Sequence, residues 1–219
     1  SPIDATQAFS FSCWVKIDVG TTTSQYKNLV RLYDSATNQH RFKLTIHKRP
    51  NTWHRIDVFI SDGAGGSTSQ PDAYIPNAEI EGVWGHIAVT FAATSSATGD
   101  TKLYFNGELV ETDTGSAALD ASATIDQLMV GGPANYFPGK TTEHVWYQDV
   151  LTDEEVHQIY NGQDRFPNKP SDPRRPPNPA GAVSHYRFGN AISGTTVPDQ
   201  IGSTDLTLNG GVSVSPDVP

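Results

Sequence analysis

A single cysteine, Cys13, in 219 residues means that no disulfide can close within this chain. That removes the usual staple of a secreted domain without excluding export, since a chain of this size can bury a core large enough to fold unstapled. Nowhere does an apolar run reach the roughly 18 residues that a membrane-spanning helix needs, so no membrane insertion is expected. Basic side chains are few: 15 Lys and Arg against 24 Asp and Glu leave a net charge of −9. Nucleic acid and anionic membranes are therefore poor candidates for the main partner. The sequence has no Gly-x-Ser-x-Gly elbow, phosphate-binding loop or Cys/His metal spacing. No charged-then-apolar leader precedes the first apolar stretch, which fits either an unprocessed start or a trimmed product.

What is present reads almost entirely as strand. Apolar alternation and turn residues predict strands near 8–18, 28–33, 39–47, 53–60, 83–93, 101–106, 108–112, 124–131 and 140–147. Cys13 shares an alternating face with Phe9, Phe11, Val15 and Ile17, so it is expected to be a buried small hydrophobe. Asn106-Gly107, flanked by Leu103 to Phe105 and by Leu109-Val110, is the strongest hairpin signal, because both turn residues tolerate positive φ. Residues 61–72 form a polar, glycine-rich excursion. One helix is expected. Thr152 and Glu155 make a capping box, Asp153 and Glu154 suit the positive helix end, Val156, Ile159 and Tyr160 form an apolar stripe, and Gly162 suits the C-terminal stop.

A lone capped helix after a strand at the end of a long all-β run resembles the close of a laminin G-like domain of the concanavalin A-like lectin/glucanase superfamily. Trp84 to Phe91 followed by Leu103 to Val110 is similar to that family's central strand and its Asn-Gly hairpin, and Phe9 to Val15 to its early strand. The resemblance covers most of residues 8–162. It implies an all-β, concanavalin A-like jelly-roll β-sandwich of two antiparallel sheets with one short helix. Lectins, hydrolases, lyases and adhesive modules all share this fold, so function must be argued from sites.

Six prolines between Gln163 and Gly181 predict an extended, semi-rigid strap. Beyond it, Ala182 to Phe188, Ser193 to Gly202 and Leu206 to Val212 resemble the opening of a laminin G-like domain, which in most of the family precedes the first strand. This order implies circular permutation: a body over 1–162, a strap over 163–181, and terminal strands over 182–219 completing the same sandwich. A truncated second domain is the competing reading, but some 38 residues bury too little to fold alone. The tail is also similar to laminin G-like proteins of tailed phages, which implies a virion-surface or other extracellular location.

Glycoside hydrolases of the superfamily set paired carboxylates on one strand. Glu108 and Glu111 come nearest to such a pattern here, yet a spacing of three places them on opposite faces of a regular strand. Alginate-lyase-like members use Gln-x-His in strand context, and that is missing. The chain is therefore read as non-catalytic. Laminin G-like domains often bind calcium through an acidic pair and an aspartate loop. The matching positions here are Thr142-Glu143, Asp199 and Asp205, so a structural calcium on Glu143, Asp199 and Asp205 competes with ordinary turn aspartates.

The strongest recognition surface lies on the hairpin 40–60. Phe42, Leu44, Ile46, Ile56, Val58 and Ile60 are expected to face the core; Arg41, Lys43, Thr45, His47, Trp53, Arg55, Asp57 and Phe59 occupy the opposite face. With a turn at 48–52, the expected pairs are His47 with Trp53, Thr45 with Arg55, Lys43 with Asp57 and Arg41 with Phe59. Aromatic faces and charged side chains together suit a polysaccharide or cell-surface glycan. The same face suits packing against the strap, other virion proteins or a second copy in a homo-oligomer. Tyr74, Tyr136 and Phe137 are loop aromatics able to extend the site, whereas Trp14, Trp84 and Trp146 are expected in the core or covering a sheet.

Overall fold

The computed structural model describes residues 8–20, 26–48, 52–61, 71–93, 98–116, 125, 127–131, 137–164, 182–188 and 196–207. Two large antiparallel sheets face each other. The six-stranded sheet runs β11 (Ala182–Tyr186), β10 (Gly139–Tyr147), β1 (Ala8–Ile17), β6 (Gly85–Ala93), β7 (Gly99–Phe105) and β8 (Glu108–Ser116). The five-stranded sheet runs β5 (Asp72–Pro76), β4 (Trp53–Ile60), β3 (Gln39–Lys48), β2 (Lys27–Asp34) and β9 (Gln127–Val130). A small ladder joins β12 (Thr196–Val197) to β13 (Leu206–Thr207). This is the concanavalin A-like sandwich that the sequence implied.

Alternation builds the core as expected. Phe9, Phe11, Cys13, Val15 and Ile17 from β1 meet Phe42, Leu44, Ile46, Ile56, Val58 and Ile60 from the opposite sheet, all buried. Phe42 links the layers: its ring packs edge-on against Phe9, Phe11 and Trp146 at centroid distances of 5.4, 6.3 and 5.7 Å. Burial raises the Cys13 thiol far above its ordinary range and leaves it an inert core group. The Asn106-Gly107 turn adopts φ of 51° and 83°, which only residues tolerant of left-handed geometry accept at low cost.

Two helices are present among the described residues, where one was expected. The added one is a single turn, α1 (Asn77–Ile80), following a strand, β5, that the sequence did not signal. The capped helix is α2 (Asp153–Asp164), which runs through Gly162 rather than stopping there. Its capping box forms as expected: the Glu155 amide donates to Thr152 Oγ1 at 3.2 Å, and the Thr152 amide donates to Glu155 Oε2 at 2.8 Å. Thr152→Ala is expected to cost about 0.5–2 kcal/mol of stability in a denaturant titration.

Packing of α2 decides which surfaces stay open. Val156, Ile159 and Leu151 bury against Ala88, Tyr104, Val145 and Tyr147 on the outer side of the six-stranded sheet. Tyr104 donates to Asp153 Oδ1 at 2.7 Å, and Lys102 approaches the same oxygen at 2.7 Å. That sheet is therefore partly covered on its outer side by α2 and packs with its inner side on the partner sheet. After the strap, of which 165–181 lie outside the described residues, β11 pairs antiparallel with β10 at the sheet edge. The Tyr186 hydroxyl then ties β11 to the Thr204 carbonyl at 2.9 Å.

Candidate functional site

The outer face of the five-stranded sheet carries the side chains singled out from the sequence, in a register that differs from the expected one. Lys43 pairs with Phe59, Thr45 with Asp57 and His47 with Arg55, a shift of two residues that leaves every side chain on its expected face. Trp53 lies beyond the end of β3 and pairs instead with Pro76 of β5. Tyr74 is a strand residue rather than a loop aromatic, directly opposite Arg55. Tyr136 and residues 62–70 lie outside the described residues, and Phe137 packs against the core.

The face is recessed at its centre. Arg31, Thr45, His47 and Asp57 are buried although they point away from the core, and Arg41 is fully buried, its guanidinium 3.0 Å from the Asp34 carboxylate. The expectation of an open basic stripe running through Arg41 is thereby corrected: Arg41 is a structural ion pair. Two aromatic residues stand out at one end, Trp53 at 44% exposure and Tyr74 at 51%. They lie diagonally across β4 and β5, a separation of about 7–8 Å at the backbone. Tyr26, which the sequence did not single out, is also exposed, and its ring lies 4.6 Å from that of His47.

Arg55 occupies the centre of this aromatic end. Its guanidinium lies 2.7 Å from Asp57 and 2.6 Å from Asp72. Burial acts to lower its pKa, but Asp57, Asp72, Tyr26 and Tyr74 together hold it above the ordinary value. A fixed, charged fork beside exposed rings can orient hydroxyl groups while the rings stack on apolar sugar faces. At the other end, the Lys43 ammonium sits 4.0 Å from the centroid of the half-buried Phe59 ring. Arg31, Tyr33 and His40 complete that end. Sequence reasoning passed over them, although Val30 and Leu32 facing the core already imply Arg31 and Tyr33 outside.

The acids expected to bind calcium are occupied otherwise. Glu143, at a positive φ of 52°, lies between His185 Nε2 and Arg187 Nε, each 2.6 Å from one of its oxygens. Burial pushes its carboxyl up, and these two partners more than reverse that, leaving it below the ordinary carboxylate value. Asp199 Oδ1 accepts the amides of His185, Ile201 and Gly202, and Asp205 Oδ1 accepts the amide of Asp199. Asp199 Oδ2 is the one buried oxygen left over. No three His, Cys, Asp or Glu among the described residues gather round a point that would hold an ion. This donor set does not fit calcium, because the guanidinium and imidazole already hold the carboxylate that would have to ligate it.

Glu108 and Glu111 also differ from expectation. A bulge in β8 pairs them with Phe105 and Leu103, so the three-residue spacing brings them to one side rather than two. Both remain exposed on an edge strand, with His157 Nδ1 3.5 Å from Glu108, and they are not recessed in a cleft. No described helix is long and apolar enough to cross a membrane.

A family model for the concanavalin A-like lectin/glucanases superfamily matches residues 1–157. No curated protein sequence matches the chain. Among solved structures, a Bacteroides ovatus protein provisionally assigned as carbohydrate-binding is similar at a TM-score of 0.57 and 15% identity; 97% of this chain aligns to 56% of that one. The CBM40 module of a Ruminococcus gnavus sialidase is similar at 0.52 and 20%, with 71% of this chain aligned to 84% of the module. A heptameric SAP-like pentraxin from Limulus polyphemus is similar at 0.51 and 11%, with 72% and 71% aligned. At these identities the likeness is one of fold.

Proposed function

We propose a non-catalytic glycan-recognition role for this chain, which belongs to the concanavalin A-like lectin/glucanases superfamily. One observation carries the reading: Trp53 and Tyr74 stand exposed at one end of the outer face of the five-stranded sheet, beside a recessed floor of His47, Arg55 and Asp57. Rings held on strands lose little entropy on stacking against a sugar, and polar groups fixed between them select orientation. The fold likeness to the Bacteroides ovatus protein provisionally assigned as carbohydrate-binding, and to the CBM40 module of a sialidase, supports the same reading. The permuted chain order belongs to it as well, supported by the return of β11 to the edge of the six-stranded sheet. We place the module on a virion or other extracellular surface, on the resemblance of its tail.

A second reading has the exposed Trp53 and Tyr74 as an assembly surface for other virion proteins or a second copy. A glycan array and affinity gels, run on the wild type and Trp53→Ala with the mass in solution measured alongside, separate the two. Glycan binding by the wild type that falls about tenfold or more in Trp53→Ala, a loss of roughly 1.4 kcal/mol, supports recognition. The variant should keep its melting temperature, because exposed substitutions stay within about 0.5 kcal/mol. No glycan binding together with a stable oligomer would sink the glycan reading and leave assembly.

A further inference from the structure

We infer that Arg31 and Lys43 form a subsite for an anionic substituent, a carboxylate or sulfate ester carried on a sugar, at the Phe59 end of the five-stranded sheet. The inference rests on the glycan reading of this face and narrows it to acidic glycans.

Register makes the case. β2 and β3 place Arg31 directly opposite Lys43. On the far side of Arg31 lies Met129, and on the far side of Lys43 lies Phe59, so the row across four strands reads Phe59, Lys43, Arg31, Met129. Like charges directly opposite each other on neighbouring strands destabilise a sheet, and proteins commonly intersperse acids between them. None is interposed here. Each cation takes the weak partner to hand: Lys43 Nζ lies over the Phe59 ring, and Arg31 Nη2 donates to the Met129 thioether at 3.1 Å. A thioether is a poor acceptor for a guanidinium.

Neither cation makes an ion pair with a described residue. Arg31 keeps only 7% of its surface in contact with solvent, and its Nε is buried with no hydrogen-bond partner. The acids of this face are committed elsewhere, Asp57 and Asp72 to Arg55 and Asp34 to Arg41. Among the described residues, a buried guanidinium with an unused donor beside a second cation is thus an uncompensated arrangement, and a bound anion would compensate it. Three neighbouring groups are shifted accordingly. Burial and then Arg31 lower the Lys43 pKa, burial lowers that of Arg31, and burial followed by Arg31 and Lys43 pushes His40 down to about 4. In a chain of net charge −9, this positive spot comes from placement and not from composition.

The geometry suits an acidic sugar in two respects. The Lys43 ammonium offers a donor to an oxygen of one carboxylate or sulfate, the buried Arg31 guanidinium opposite it adds positive charge from beneath, and the half-buried Phe59 ring offers an apolar surface to the sugar ring.

Calorimetric titration of the intact protein with matched probes tests the proposal: uronate oligomers against their methyl esters, sialyllactose against lactose, and sulfated oligosaccharides against their desulfated forms. An acidic probe should bind at least tenfold more tightly than its neutral match, with an advantage that shrinks as salt rises. Lys43→Gln and Arg31→Gln should each abolish that advantage, whereas Trp53→Ala should weaken acidic and neutral probes alike. Lys43→Gln should melt no lower than the wild type without ligand, because it removes half of a like-charge pair. The carboxylated and sulfated arms identify which anion is taken. Equal binding of neutral and acidic probes, or an advantage that survives Lys43→Gln, overturns the anionic subsite while the glycan reading stands. Absence of binding to every sugar overturns both, and polyglutamate binding as tightly as the acidic sugars overturns the sugar part of the proposal.

Discussion

Acidification from pH 7 to pH 4.5 is expected to remove about 5 kcal/mol of folding stability through two histidines, His86 and His144. Both are completely buried. His86 lies between Trp14 and Tyr160, with ring centroids 5.3 and 6.1 Å away, and neither of its ring nitrogens has a hydrogen-bond partner. His144 contacts Phe11 and Phe188, and its Nδ1 likewise has no partner. Burial pushes both to about 3 from an ordinary 6.5. The folded pKa is thus depressed, so below pH 6.5 the unfolded chain takes up protons that the folded chain refuses. Stability is fully present above 6.5 and is lost progressively as pH falls toward 3. Each pH unit in that window costs about 1.4 kcal/mol per histidine, so two units and two histidines give the stated loss, a large part of a typical domain's 5–15 kcal/mol. Denaturant midpoints measured at pH 7, 5.5 and 4.5 report it directly. His86→Phe should flatten the slope by about half; a pH-independent midpoint in the wild type would mean that these rings are protonated or solvated in the folded state.

Phe42→Ala is expected to cost about 3–5 kcal/mol, because it removes a fully buried ring and leaves a void that its neighbours cannot fill. Those neighbours, Phe9, Phe11 and Trp146, belong to strands held on both sides by other strands, which limits collapse around the cavity. Phe42→Leu, closer in volume, should cost less than about 1.5 kcal/mol. The residue also positions the proposed binding face, since Arg41 and Lys43 flank it in β3 and point the other way. Glycan affinity in Phe42→Ala should therefore fall along with stability, unlike in Trp53→Ala, where affinity alone falls. A loss under about 1 kcal/mol in a reversible denaturant titration would show that the two sheets do not depend on this joint.

The first nine predicted strands are legible because alternation of period two is a direct imprint of one buried face, as in Phe42-Leu44-Ile46 and Ile56-Val58-Ile60. Signals tied to backbone sterics or to a local hydrogen bond also carried through: the Asn106-Gly107 turn and the Thr152–Glu155 box involve residues at most three apart. The β3/β4 register did not carry through. A slip of two residues keeps each side chain on its own face, so the apolar pattern cannot distinguish Thr45 opposite Arg55 from Thr45 opposite Asp57. β5 was missed for a related reason: its five residues, Asp72 to Pro76, are too few for a periodic signal, and only pairing with β4 makes them a strand. The Glu108–Glu111 spacing misled because a bulge resets the period.

For the candidate site, the sequence determined which side chains share a face with Trp53, because strand geometry alternates them whatever the rest of the molecule does. It also determined that the chain would be an all-β sandwich. Tertiary structure alone decided how far that face is recessed, that Arg41 is spent on Asp34 and Glu143 on His185 and Arg187, and that Arg31 meets Lys43 with no acid between them. These are pairings between residues on different strands or just beyond a strand's end, with partners 7 to 44 positions apart, and their energies depend on local burial and dielectric. Neither separation nor burial is written in the local order of residues, and so the chemistry of this surface emerges only once the sheets are assembled.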